Sequence, residues 1–422
     1  MQSMILKRSQ INSCDVYVGL GLLYYLQDIL YPSGIVGQTI QLIMILWGLK
    51  VAVPQMANYK RMPLVLKAVT LLLLMYCVYG FWEMAFPRHI VITQGIEPKK
   101  VNAYVYVQNA LNSFLPFFVF YRFYIENQLT KKRIIIYLFL FFAQSIINYY
   151  HNETLLLQLA LERGFEWEEV TNNVGYSFVF YIPFLFFLKR KSVKYAFLIV
   201  IMAFLISSMK RGAIATGAIA TLWFLYAQIR QEKGSVSKTV TVLLTGAVIL
   251  VGVWYVEDML TTSDHFVKRI NETMEGNSSA RNMIYGKIWN EIVTDTSLLH
   301  LLFGRGANSS IIVATNYAHN DWLELMINNG LLGVSLGAFF YISLYKTAHR
   351  YRRVFGRTYY TAFLMMILVI FLPTFFSMII YQLSTRICLF FAFMIGYVKT
   401  NVKNNREYST LSSGTAVYNQ LR

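Results

Sequence analysis

Residues Tyr317 to Tyr345 read YAHNDWLELMINNGLLGVSLGAFFYISLY. A polar cluster, His319-Asn320-Asp321, opens the stretch. An acidic and then apolar helix start follows, passes Gly330 and Gly333, and ends as an unbroken apolar run. This is the pattern of a water-exposed loop entering a membrane helix. Asp321 and Glu324 have the spacing of a capping box, N-cap and N3, which gives both acids a structural role. That leaves His319 and Asn320 unexplained at a boundary between water, headgroups and the field of a helix start.

The rest of the chain extends the same reading. Of 422 residues, 56% are hydrophobic and only 14% charged, where a soluble domain carries about 25% charged residues. Apolar segments of roughly twenty residues, enough to cross a bilayer core of about 30 Å, recur from end to end. The expected fold class is all-α, a polytopic integral membrane protein. Spans are expected near 16–31, 35–53, 63–82, 101–121, 134–150, 171–188, 193–208, 212–228, 239–256, 322–345, 361–381 and 384–398. Residues 1–400 would form one membrane domain and 401–422 a disordered cytoplasmic tail. No small-residue cleavage site follows the polar first fifteen residues. Cys14, Cys77 and Cys388 imply no disulfide framework, and no metal-ligand spacing occurs.

The net charge of +17 could suggest nucleic acid, but its distribution argues otherwise. With the N-terminus inside, the inner segments collect twenty-six of the 38 cations and four of the 21 acids. That is the positive-inside bias, with both termini cytoplasmic. The excess charge sets orientation.

Two outer connections are long enough to fold. Residues 151–170 carry Glu153, Glu162, Glu166, Glu168 and Glu169 and read as a solvated helix cap. Residues 257–321 form the large outer, periplasmic loop before the tenth span. Within it Ile284, Ile288 and Ile292 recur every four residues, predicting an amphipathic helix over 280–293. A second helix, 297–303, would stop at Gly304-Arg305-Gly306.

Several cations break the orientation bias. Lys210 and Arg211 lie in the short outer turn Ser207–Gly212, where charge brings no topological gain. An anionic ligand such as a diphosphate headgroup accounts for them, since a guanidinium forks onto phosphate oxygens; headgroup snorkelling is the plainer account. Arg281 opens the amphipathic helix. Arg305 sits between glycines whose N–H groups could form an anion-binding nest, or could simply mark a helix stop. Arg386 lies in the last outer turn. His319 has the chemistry of a general base, because imidazole titrates near neutrality. Gly330 and Gly333 would let helices approach closely. Gln108, Asn109 and Asn112 share one face of the fourth span, and Gln144, Ser145 and Asn148 one face of the fifth. Such faces point into a bundle, where they line a cavity or bond helix to helix.

These stretches resemble the O-antigen ligase and O-antigen polymerase superfamily of bacterial envelope glycan enzymes. His319-Asn320, nine residues, Gly330, two residues and Gly333 is similar to the ligase signature, although Val334 stands where ligases often have Thr. Ser207 to Gly212 resembles the family's Ser-x-x-Arg-Gly turn. Arg281 to Trp289, with Phe303-Gly304-Arg305-Gly306, resembles its outer-loop pattern. The resemblance covers residues from about 200 to 345. It implies metal-free transfer of an undecaprenyl-diphosphate-linked oligosaccharide, without a cofactor, at the outer face of the bacterial inner membrane. His319 and Arg211 would be catalytic; Arg211, Lys210, Arg281 and Arg305 would hold the donor diphosphate; Asn320, Gly330 and Gly333 would support them. Flippase and chain-length regulator proteins would be partners. A repeat-unit polymerase is the leading expectation, an O-antigen ligase the alternative, and a polysaccharide transporter the rival from another class.

Overall fold

The computed structural model describes the chain except residues 1–10, 31–33, 89–102, 164–171, 233, 263–266, 268–270, 272–280, 381–382 and 420–422. Among the described residues every regular element is a helix. Apart from the short turns Gln27–Leu30 and Tyr59–Arg61, the first six are α1 (Ser13–Tyr25), α2 (Ile35–Ala57), α3 (Leu64–Ala85), α4 (Ala103–Ile125), α5 (Lys131–Arg163) and α6 (Gly175–Phe187), the last part α and part 3-10. Then come α7 (Lys191–Ser207), α8 (Arg211–Gln231), α9 (Ser235–Thr262), α10 (Arg281–Thr294), α11 (Leu298–Phe303) and α12 (Ser309–Ala314). The chain ends with α13 (Asp321–Arg350), α14 (Arg352–Phe371) and α15 (Thr385–Asn419).

Each expected span overlaps a helix, but those near 16–31, 101–121, 171–188, 193–208 and 384–398 do not meet one of spanning length and hydropathy among the described residues. Among the described residues, seven helices are long and apolar enough to cross a membrane: α2, α3, α5, α8, α9, α13 and α14 with the 3-10 turn after it. The helix at the centre is α4, buried on every side from Ser113 to Tyr121. Its phenylalanines 114, 117, 118 and 120 are fully enclosed, and Phe117 stacks on Phe391 of α15 at 6.4 Å. Between helices in a bilayer such contacts are favoured by van der Waals packing, because lipid is as apolar as the side chains. On the wall, α9 is the opposite case. Leu250 is 71% exposed and Trp254 64%, an apolar surface that suits lipid.

Two helices extend beyond their expected bounds. Helix α5 continues into the acidic connection as far as Arg163; Glu166, Glu168 and Glu169 lie outside the described residues. Helix α15 runs to Asn419, through most of the segment read as a tail. The amphipathic helix forms as its periodicity demands. Ile284, Ile288 and Ile292 of α10 pack on Ala314, Ala318 and Ile327, closing a small apolar cluster over the start of α13.

Helices α8 and α13 both begin at one end of the bundle and carry Arg230, Lys346 and Arg350 to the other. Lys191 pairs with Glu232 at that far end, 2.8 Å apart. The end holding Lys210 and His319 is the one occupied by α10 to α12.

Candidate functional site

The start of α13 is fixed by three neighbouring side chains. Asn320 is the N-cap: its carbonyl oxygen accepts from the Trp322 and Leu323 N–H groups at 3.0 and 3.1 Å. Its amide donates to the Phe375 carbonyl at 3.0 Å. Asp321 is buried and accepts from the N–H groups of Ile379 and Ile380 at 2.8 and 3.0 Å. Glu324, also buried, accepts from the Ala318 N–H at 2.9 Å and from the Ser310 hydroxyl. The capping box expected of Asp321 and Glu324 is therefore corrected. Each acid instead reaches a different segment, since a buried carboxylate needs several donors to offset its desolvation. Together they clamp the backbone on both sides of His319, which is held at φ +50, a left-handed conformation uncommon outside glycine.

Gly330 does more than permit helix approach. At φ 62 and ψ −156 it breaks α13, which deprives the carbonyls of Ile327 and Asn328 of their helical donors. The N–H groups of Arg305 and Gly306 take those places, both at 2.9 Å. Gly304, itself at φ 72, bonds back to His300 at 2.7 Å. A Cβ on Gly330 would fall 2.5 Å from the Gly304 nitrogen, so two glycine backbones cross in contact. The expected anion nest at Gly304–Gly306 is corrected: all three N–H groups are spent on protein carbonyls. The Arg305 guanidinium is likewise turned aside, onto Glu291 and onto Asp295, with Nε 2.8 Å from the latter. The Ser297 N–H, His300 and Arg305 hold the Asp295 carboxyl at about 2. Gly333 packs against Asn329, one turn along α13.

Other expected residues do converge. The Arg281 guanidinium donates to the Phe376 carbonyl at 2.9 Å. Four residues along the same face of α10, the Tyr285 hydroxyl donates to the His319 carbonyl at 3.3 Å. Lys210 and Arg211 form the N-terminus of α8; the next residue, Gly212, lies so close to the Tyr176 hydroxyl and Phe376 ring that a Cβ would collide with both. His319 is thus surrounded from α8, α10 and the segment after α14. Burial lowers its pKa, and the positive charges of Arg281 and Lys210 lower it further. The imidazole is neutral at pH 7, the form that can accept a proton.

Residues 195–338 match the family model described as O-antigen ligase. The match covers less than half of the chain. It supports the resemblance of this segment to the ligase and polymerase superfamily, and Lys210, Arg211, Arg281, Arg305, His319, Gly330 and Gly333 all fall inside it. The comparison with curated proteins found no match. Residues before 195 and after 338 lie outside the domain match, Arg386 among them. Arg386 is not at the His319 cluster. It is 5% exposed and bonds to Ser145, Tyr181 and Ser177.

Sequence reasoning missed Tyr285 and Tyr176, and also the clamp formed by Arg88. That guanidinium pairs with buried Glu83 at 2.6 Å and also holds Ser309 at 2.9 Å and the carbonyls of Arg305 and Ala307. Tyr285 had a usable signal, its i+4 spacing from Arg281. Apart from nearby Glu83, the partners of Arg88 lie more than two hundred residues away, which left the clamp without a sequence signal.

Proposed function

We propose that the chain is a membrane glycosyltransferase that polymerises lipid-diphosphate-linked oligosaccharide repeat units. The observation that supports this is His319, its backbone at φ +50 and bonded by Tyr285, close enough to Arg281 and Lys210 that their charges lower its pKa, inside the segment that matches the O-antigen ligase model. His319 takes the proton of an acceptor hydroxyl as its oxygen bonds to the anomeric carbon of the donor. The bond from that carbon to the diphosphate oxygen breaks, and the electron pair leaves with the diphosphate. Arg281, Lys210 and Arg211 stabilise that growing negative charge, assisted by the partial positive charge at the start of α8. The donor is read as undecaprenyl diphosphate glycan, and the active face as the periplasmic side of the inner membrane.

Membranes supplied with labelled lipid-linked repeat units test the reading. A ladder of product lengths that His319→Ala abolishes supports the polymerase. Label moved onto lipid A-core would make the chain a ligase, and relocation of label without a new covalent bond would make it a transporter.

A further inference from the structure

A polar cavity of about 300 Å³ is lined by Asn109, Asn112, Gln144, Asn148, Ser384 and Arg386 among others. Its volume is at the lower end of ligand pockets, roughly 300–1,000 Å³. The polar faces of α4 and α5 that the sequence left unassigned are its walls. They contribute carboxamides where a membrane bundle would otherwise place apolar side chains.

Arg386 is the odd group here. It is nine-tenths buried, and among the described residues no carboxylate pairs with it. Three neutral hydroxyls, Ser145 at 2.7 Å, Tyr181 at 2.6 Å and Ser177 at 3.3 Å, accept from its two terminal nitrogens. Those bonds leave its Nε edge for another acceptor. A guanidinium buried without a counter-charge is costly, and its fork matches two oxygens of one anion. Two further buried atoms in the lining, Gln144 Oε1 and Ser384 Oγ, have no hydrogen-bond partner. A carboxamide oxygen in that state suits a hydroxyl donor.

The cavity and the His319 cluster share a neighbour in α6. Ser177 touches Arg386, while its neighbour Tyr176 packs against Gly212 at the start of α8. One short turn of α6 therefore separates the two sites. We propose that this cavity is a subsite for an acidic sugar of the glycan, its carboxylate on Arg386 and its hydroxyls on the surrounding carboxamides. The identity of the ligand as glycan rests on the transfer reading above; the buried cation and unpaired amide stand without it.

The test is binding to the full chain in lipid nanodiscs, with digalacturonic acid, its neutral dimethyl ester and inorganic phosphate as probes. The acid is expected to bind about tenfold or more tightly than the ester, the factor one charged hydrogen-bonded contact carries. Arg386→Gln should erase that preference. Because Arg386→Gln could fail to fold, Gln144→Leu, which removes no buried charge, is measured beside it and should weaken the acid several-fold at an unchanged melting temperature. His319→Ala should bind as wild type. Equal affinity for acid and ester, or a folded Gln144→Leu with wild-type affinity, overturns the subsite. Phosphate binding without disaccharide binding overturns its sugar assignment. Loss of transfer in His319→Ala combined with no acid binding would remove this inference alone, whereas acid binding with normal transfer in His319→Ala would remove the catalytic reading alone.

Discussion

Replacing Gly330 by alanine should unseat the loop that carries Arg305. The structure supplies three costs. Alanine at φ 62 loses about 1–2 kcal/mol to the left-handed conformation. The new methyl would sit 2.5 Å from the Gly304 nitrogen, 2.6 Å from the Leu302 carbonyl carbon and 2.7 Å from the Leu301 oxygen; overpacking of this kind costs about 1–3 kcal/mol, and backbone yields less readily than side chains. Relief by separation would break the Arg305–Ile327 and Gly306–Asn328 bonds, each worth about 1 kcal/mol net. Together these give about 4–7 kcal/mol, a fall in melting temperature on the order of 5–8 °C. Thermal unfolding of the purified protein in detergent, followed by reaction of a thiol dye with the buried cysteines Cys14 and Cys388, would report it. Gly286→Ala is the control. Gly286 lies in α10 with nothing within 4 Å of its added Cβ, so that change should be neutral or stabilising by up to about 1 kcal/mol. A Gly330→Ala protein melting within about a degree of wild type would refute the crossed-backbone account.

Three further outcomes follow from the site. Arg281→Gln removes one of the two charges that lower the His319 pKa. The pKa then moves back up toward 6.5, and the acid limb of the kcat/KM profile should shift to higher pH; an unshifted limb would detach Arg281 from the imidazole. Arg305→Ala leaves Glu291 and Asp295 without their cation, so the melting temperature should fall while the donor KM stays unchanged; a raised KM alone would return Arg305 to the donor site. Asn320→Ala loses the cap of α13 and should cost about 1 kcal/mol, whereas Asn320→Asp keeps an accepting oxygen and should cost less; equal losses would mean that the cap is not what matters there.

Much of the frame was legible in sequence because it is local. Helix α10 declared itself through Ile284, Ile288 and Ile292, and α11 through the glycine that ends it. His319, Arg281 and Lys210 were legible as misplaced polar groups, and the fold brings them together. What was hidden depends on distant segments. Asp321 and Glu324 have capping-box spacing, yet Ile379 and Ser310 claim their oxygens. Gly304 and Gly306 have the composition of a nest, yet His300 claims the N–H of Gly304, and carbonyls freed by the break at Gly330, more than twenty residues on, claim those of Arg305 and Gly306. Arg305 read as a donor ligand because the pattern of the loop does not show that Glu291 and Asp295 lie across from it. In each case spacing specified the local possibility, and a tertiary partner chose another.

The central claim is that His319 accepts the acceptor's proton. Single-turnover transfer by purified His319→Gln, reconstituted with lipid-linked repeat units and matched to wild type in melting temperature, tests it most directly. Loss of a general base predicts a rate about 10²–10⁴-fold lower with the donor still bound by Lys210, Arg211 and Arg281. A His319→Gln protein that transfers at the wild-type rate would contradict the account.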